Sequence, residues 1–159
     1  MPWWIRLKLL PCLLRYGAEV SPGGKLIAFG KGGSSTDAQH IAVEFVHPVM
    51  VGKRALPAIS LTNDMATLTG LAHRHGWHDV FAYQLRYLAH PHDIAIAVSQ
   101  DQPGQNILRG LRVAKQMGLL TIALTGGNSE VMAAHTAVDH ILVAPAEELQ
   151  IVKELQVTI

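Results

Sequence analysis

Apolar residues along this 159-residue chain come in short blocks parted by polar, glycine-marked breaks. Residues 26–29 (LIAF) form an unbroken apolar run of the kind a buried strand shows. Gly30, Gly32 and Gly33 follow, where a backbone must bend tightly or approach a ligand closely. Ser34, Ser35 and Thr36 offer cap oxygens just ahead of a helix that runs through Glu44. Residues 56–61 (LPAISL) predict a second strand, and Thr62, Asn63 and Asp64 cap a short helix over 65–72. The run His73-Arg74-His75-Gly76-Trp77 breaks that helix. Residues 79–89 predict another, with Val80, Phe81, Gln84, Leu85 and Leu88 near a period of 3.6.

Residues 94–98 (IAIAV) are apolar on both faces, as a strand inside a parallel sheet is. A polar loop over 99–104 leads to a helix over 105–117 with Ile107, Leu108, Leu111, Val113 and Ala114 as its stripe; Gly118 ends it. Residues 120–124 and 141–143 predict a fourth and a fifth strand, with helices over 129–135 and 146–156. Strands alternating with helices through short loops indicate an α/β domain with a parallel sheet and right-handed crossovers. Ligands bind such sheets where loops leave the carboxyl ends of the strands. Residues 30–35, 99–104 and 125–128 are therefore the candidate loops.

Composition narrows the picture. The length fits one domain with a substantial core, residues 25–159, behind an N-terminal helical segment over 1–24. Hydrophobic residues make up 49% and charged residues only 16%, which predicts that part of the surface is covered by another subunit. A net charge of +1 gives no electrostatic case for nucleic acid or an anionic membrane. One cysteine, Cys12, excludes an internal disulfide and fits a reducing, cytoplasmic setting. The apolar run over 9–14 is too short, and too interrupted by Pro11, for a membrane span or a secretory signal.

The glycine turn precedes a helix N-terminus, whose N–H groups and partial positive charge favour an anion such as a phosphate. A nucleotide cofactor is a poor match. The third glycine of a dinucleotide fingerprint is Ser35, and Gly30-Lys31 runs into Gly32 rather than the Ser or Thr of a phosphate-binding P-loop. His40 and Glu44, four residues apart, share one helix face as metal ligands, an acid/base pair or an ordinary ion pair; spacing alone favours the ion pair. The histidines at 73, 75, 78, 90 and 92 fall in loops and read as solvated rather than metal-binding.

The stretch GKGGSSTDAQHIAVEF resembles the G-N-G-G-S-x-x-D-A-x-H-x-A-x-E-F pattern of the phosphoheptose isomerases, members of the sugar isomerase (SIS) domain family. LPAISLTND, LTGLAHRHGWHDVFAYQL, DIAIAVS and TIALTGGN continue the resemblance over roughly residues 25–150. It implies a three-layer α/β domain whose five-stranded parallel sheet is flanked by helices, in a homo-oligomer, a tetramer or a dimer. It implies aldose–ketose isomerisation of a phosphorylated sugar, sedoheptulose 7-phosphate to a manno-heptose 7-phosphate, in lipopolysaccharide heptose synthesis. The route is an enediol, with zinc bound at the site in some members. Position by position, the resemblance makes Glu44 the base and His40, Glu44 and Gln150 metal-ligand positions. It places Lys31, Gly32, Gly33, Ser34, Ser99 and Gln150 at the substrate.

This chain departs from the pattern at several positions. Lys31 replaces an asparagine, and Asp101 and Gly104 stand where two phosphate-loop serines belong. Pro48 replaces an arginine, His73-Arg74 replaces Asn-Asp, and Thr158 stands where the resemblance implies a histidine that works with the glutamate as acid and base. Two further readings follow from these departures. One is a non-catalytic SIS module that binds a phosphosugar or a protein, like the relatives that associate with the replication initiator DnaA. The other is a shortened copy whose ends do not build a complete oligomer.

Overall fold

The computed structural model describes residues 23–48, 54–126, 136–144 and 151. Five parallel strands form one sheet: β1 (Leu26–Gly30), β2 (Ala58–Ser60), β3 (Ile94–Ser99), β4 (Leu120–Thr125) and β5 (His140–Val143). Their spatial order is β2-β1-β3-β4-β5. The described residues include helices α1 (Gly33–Val46), α2 (Met65–His75), α3 (Val80–Leu88) and α4 (Gln105–Gln116), with a 3₁₀ turn over Trp77–Asp79 ahead of α3.

Side chains alternate across the sheet, so each strand feeds two cores. Ile27 and Phe29 join Phe81, Leu85, Ile107 and Leu111 on the face covered by α2, α3 and α4. Leu26, Ala28, Ile94, Ile96 and Val98 pack with Ala38 of α1 on the other face. The three layers match the expected architecture. The long apolar runs fix register: Leu26 to Gly30 pair in order with Ile94 to Val98.

The amino ends of the strands are held by carboxylates. Asp93, just before β3, accepts hydrogen bonds from the Lys25 amide (2.9 Å), the Lys25 ammonium (2.7 Å) and the His90 amide (2.8 Å). Asp139, just before β5, accepts from the Thr121 amide (3.0 Å) and hydroxyl (2.9 Å), and also from Lys115. Burial works to raise the Asp139 pKa; the bonds from Lys115 and Thr121 and the lysine charge outweigh it and hold the carboxyl below its usual value.

Several element bounds differ from the sequence expectation. Helix α2 continues through His73 and His75 and stops at Gly76, whose φ of 85° suits glycine. Basic side chains in a last turn face the negative end of the helix dipole, so that run extends the helix. Asp64 is the cap that forms, accepting from the Ala66 and Thr67 amides. Residue 79 belongs to the 3₁₀ turn, and Leu88 is exposed rather than part of the buried stripe. The second strand shrinks to three residues because it pairs only with β1 at the sheet edge. The stripe of α4 is buried at all five expected positions. Expectations for residues 1–22, 129–135, 146–150 and 152–159, Thr158 included, lie outside the described residues.

Candidate functional site

Strand order reverses between β1 and β3, since the chain goes to β2 on one side before returning to β3 on the other. In open parallel sheets the crevice at the carboxyl ends of such a pair is where ligands bind. Two of the three candidate loops, 30–35 and 99–104, flank this crevice. The third begins at Thr125, and its residues 127–128 lie outside the described residues.

Glycine is required at the mouth of β1. A Cβ on Gly30 would sit 2.4 Å from the Ser34 carbonyl oxygen and 2.8 Å from its carbon. Gly32 caps α1 with φ 56°, in the left-handed region, and no side chain caps the helix. This corrects the expectation for Ser34, Ser35 and Thr36, which lie inside the first turn. Ser35 Oγ donates back to the Gly32 carbonyl (2.6 Å) and Thr36 Oγ1 to the Gly33 carbonyl (2.7 Å). Ser34 is buried, while Gly32 and Gly33 are exposed.

Across the crevice, Ser99 closes β3, is buried, and donates to the Asp101 carbonyl at 2.9 Å. Lys31 reaches over from the glycine turn, its Nζ 3.3 Å from Asp101 Oδ1. Gln100 donates to the buried Asp37 at 3.4 Å, a second tie between the two loops. Among the described residues, two buried polar atoms lack a partner, Asn106 Nδ2 and Thr125 Oγ1. Asn106 lies in the first turn of α4 and Thr125 pairs in register with Ser99, so both belong to this end of the sheet.

Glu44 and His40 lie farther along α1. His40 Nε2 is 3.5 Å from Glu44 Oε1, and both side chains are nearly half exposed. This is the ion-pair geometry that the spacing favours, presented to solvent rather than to the sheet. From Ser34, His40 is six residues and about 9 Å along the helix axis, and Glu44 is about 15 Å. An anion at the glycine turn and a reacting group at Glu44 therefore require an elongated ligand.

The SIS domain model matches residues 17–126. A phosphoheptose isomerase of Thermodesulfovibrio yellowstonii is 37% identical over 141 residues, covering 89% of this chain and 69% of that protein. One of Aquifex aeolicus is 39% identical over 139 residues, covering 86% and 71%. The chain belongs to the SIS domain family. Its relatives there are phosphoheptose isomerases, as the sequence motifs indicate. The solved structure of a phosphoheptose isomerase from Francisella tularensis has a TM-score of 0.79 at 27% identity, covering 93% of this chain and 81% of that one.

The donor set for a zinc ion is incomplete within the described part of this SIS domain. His40 and Glu44 supply two donors, whereas zinc takes three or four protein ligands. Among the described residues no cluster of three His, Cys, Asp or Glu could hold a metal. Gln150, the third position implied by the family resemblance, lies outside them. Histidines 73, 75, 78, 90 and 92 are all exposed, as expected, although His73 and His75 lie in α2 and His78 in the 3₁₀ turn rather than in loops; His75 stacks on Tyr83 at 4.6 Å.

Sequence reasoning missed three features. The buried amide of Asn106 left a signal, a polar residue beside an apolar helix stripe. The buried Asp37 left one too, an acidic residue on the inward side of α1. The third is an apolar groove of about 1080 Å³ beside edge strand β2, lined by Val43, Val46, Leu71, Tyr83, Tyr87 and Leu88 among others. It includes none of Lys31, Ser34, His40 or Glu44, and its apolar walls do not suit a sugar phosphate. No helix among the described residues is long and apolar enough to cross a membrane.

Proposed function

We propose that this chain is a sugar-phosphate isomerase of the phosphoheptose type, converting sedoheptulose 7-phosphate to a manno-heptose 7-phosphate. The observation that carries this reading is the exposed His40–Glu44 pair, one helical turn apart on the helix that starts at the β1 glycine turn. A seven-carbon sugar with a terminal phosphate is an elongated ligand of the kind that spacing requires. Its phosphate lies at the turn, near Lys31, Gly32, Gly33 and Ser34, with Ser99 across the crevice. Its carbonyl end lies toward His40 and Glu44.

Glu44 acts as the base. Its carboxylate takes the C1 proton of the ketose, an enediol forms, and a proton returned to C2 gives the aldose. A base positioned at the carbon acid contributes ~10²–10⁴-fold to rate. His40, Glu44 and Gln150 are the residues that would hold a zinc ion, which would stabilise the enediolate oxygens when bound.

The finer parts of the proposal are an assembly of subunits, a cytoplasmic location and a role in lipopolysaccharide heptose synthesis. Assembly is supported by the solvent face of α1, where Val43 and Val46 are more than half exposed beside His40 and Glu44. Turnover of sedoheptulose 7-phosphate by purified protein, with and without added zinc, tests the function. Production of the aldose phosphate is expected; no product under either condition would remove the proposal.

A further inference from the structure

Lys31 and Asp101 are seventy residues apart in sequence, yet they meet over the crevice between β1 and β3. Each comes from the loop leaving one of the two strands that flank the reversal of strand order. The Lys31 side chain also lies along the start of α4. A Cβ on Gly104 would touch its Cδ and Cε at 3.5 Å and collide with Asn106 Oδ1 at 2.7 Å. Gly104 thus leaves room for the Asn106 side chain, which lies beside the lysine stem, is 2% exposed and has an Nδ2 with no partner among the described residues. The crevice holds a cation, an unsatisfied buried donor and a carboxylate.

We infer that Asp101 is a specificity-determining residue, an internal anion that competes with a substrate phosphate for the Lys31 ammonium. This rests on the proposed isomerase reading, and it goes beyond that reading by assigning Asp101 a function. The pair can open. Asp101 is 58% exposed and Lys31 32%, at 3.3 Å, so water and salt compete with the contact. A phosphate dianion outcompetes a carboxylate for the ammonium because it carries more charge, while a neutral or singly charged terminal group gains less. The carboxylate, left within a few ångströms of the bound phosphate, repels it. Phosphate affinity is thereby kept low and made dependent on ionic strength.

Calorimetric titration of the full chain with inorganic phosphate tests this, using wild type, Asp101→Asn, Asp101→Ser and the double variant Lys31→Ala/Asp101→Asn. Both single variants are expected to bind phosphate about tenfold more tightly than wild type at low salt. The double variant is expected to lose that gain. Phosphate affinity within twofold of wild type in both single variants would overturn the inference, as would a gain that survives removal of Lys31. Wild-type turnover of sedoheptulose 7-phosphate reports separately on the isomerase reading. Turnover without the affinity gain removes only the role of Asp101, and the gain without turnover removes only the isomerase.

Discussion

Strands β1 and β3 are bridged by a lysine–aspartate pair at each end, and the two pairs differ in every physical respect. At the amino end, Asp93 is fully buried and accepts three hydrogen bonds, two of them from Lys25. At the carboxyl end, Asp101 is mostly exposed and meets Lys31 in one contact of 3.3 Å. The first supplies three protein donors to a carboxylate that water cannot reach. The second can exchange with solvent and with ligands. The same contrast runs along the sheet. Asp139 ties β4 to β5 at the amino edge, whereas the buried side-chain atoms without partners among the described residues, on Asn106 and Thr125, lie toward the carboxyl edge. One edge is built for stability, and the other leaves polar groups available to a ligand.

The sharpest way to break the comparison is to remove each carboxylate in turn. Asp93→Ala strands the Lys25 ammonium and two backbone amides, and should cost about 3–5 kcal/mol in denaturant unfolding. A loss below 1 kcal/mol would mean that the amino-end pair is no stronger than a surface pair. Gly30→Ala comes next. Its methyl group meets backbone atoms of Ser34 that cannot rotate away, so a loss of about 1–3 kcal/mol is expected, with α1 displaced from β1.

Asp139→Asn should cost about 1 kcal/mol near neutral pH. The folded-state pKa of Asp139 lies below its ordinary 3.8, so the unfolded chain takes up this proton first as pH falls. Its contribution is therefore complete above that value and is lost as pH drops through the lower folded-state value. The gap in stability between wild type and Asp139→Asn should narrow below about pH 4; a constant gap would show that the charge is not what matters. Asp101→Asn should shift unfolding least, by less than about 0.5 kcal/mol, even while it changes phosphate binding.

Much of this was legible in the chain. The runs at 94–98 and 105–117 specify β3 and α4 because their apolar positions leave one way to be buried. Helix ends were less legible. Whether Ser35 and Thr36 cap a helix or turn back to carbonyls within it depends on the left-handed Gly32 just ahead of them. Whether His73–His75 ends α2 depends on where Gly76 releases it. The glycine turn and the His40–Glu44 spacing are local, and the sequence showed both. The meeting of Lys31 with Asp101 is not local: it follows from β1 and β3 becoming neighbours, which only the strand order reveals.

The central claim is that Glu44 removes a proton from a phosphorylated sugar. Isomerisation of sedoheptulose 7-phosphate in D₂O tests it most directly, comparing wild type with Glu44→Gln. Deuterium is expected at C2 of the heptose product made by wild type. A rate lower by ~10²–10⁴ is expected in Glu44→Gln, with inorganic phosphate still bound. A Glu44→Gln enzyme that turns over within tenfold of wild type, or a product free of solvent deuterium in both, would contradict it.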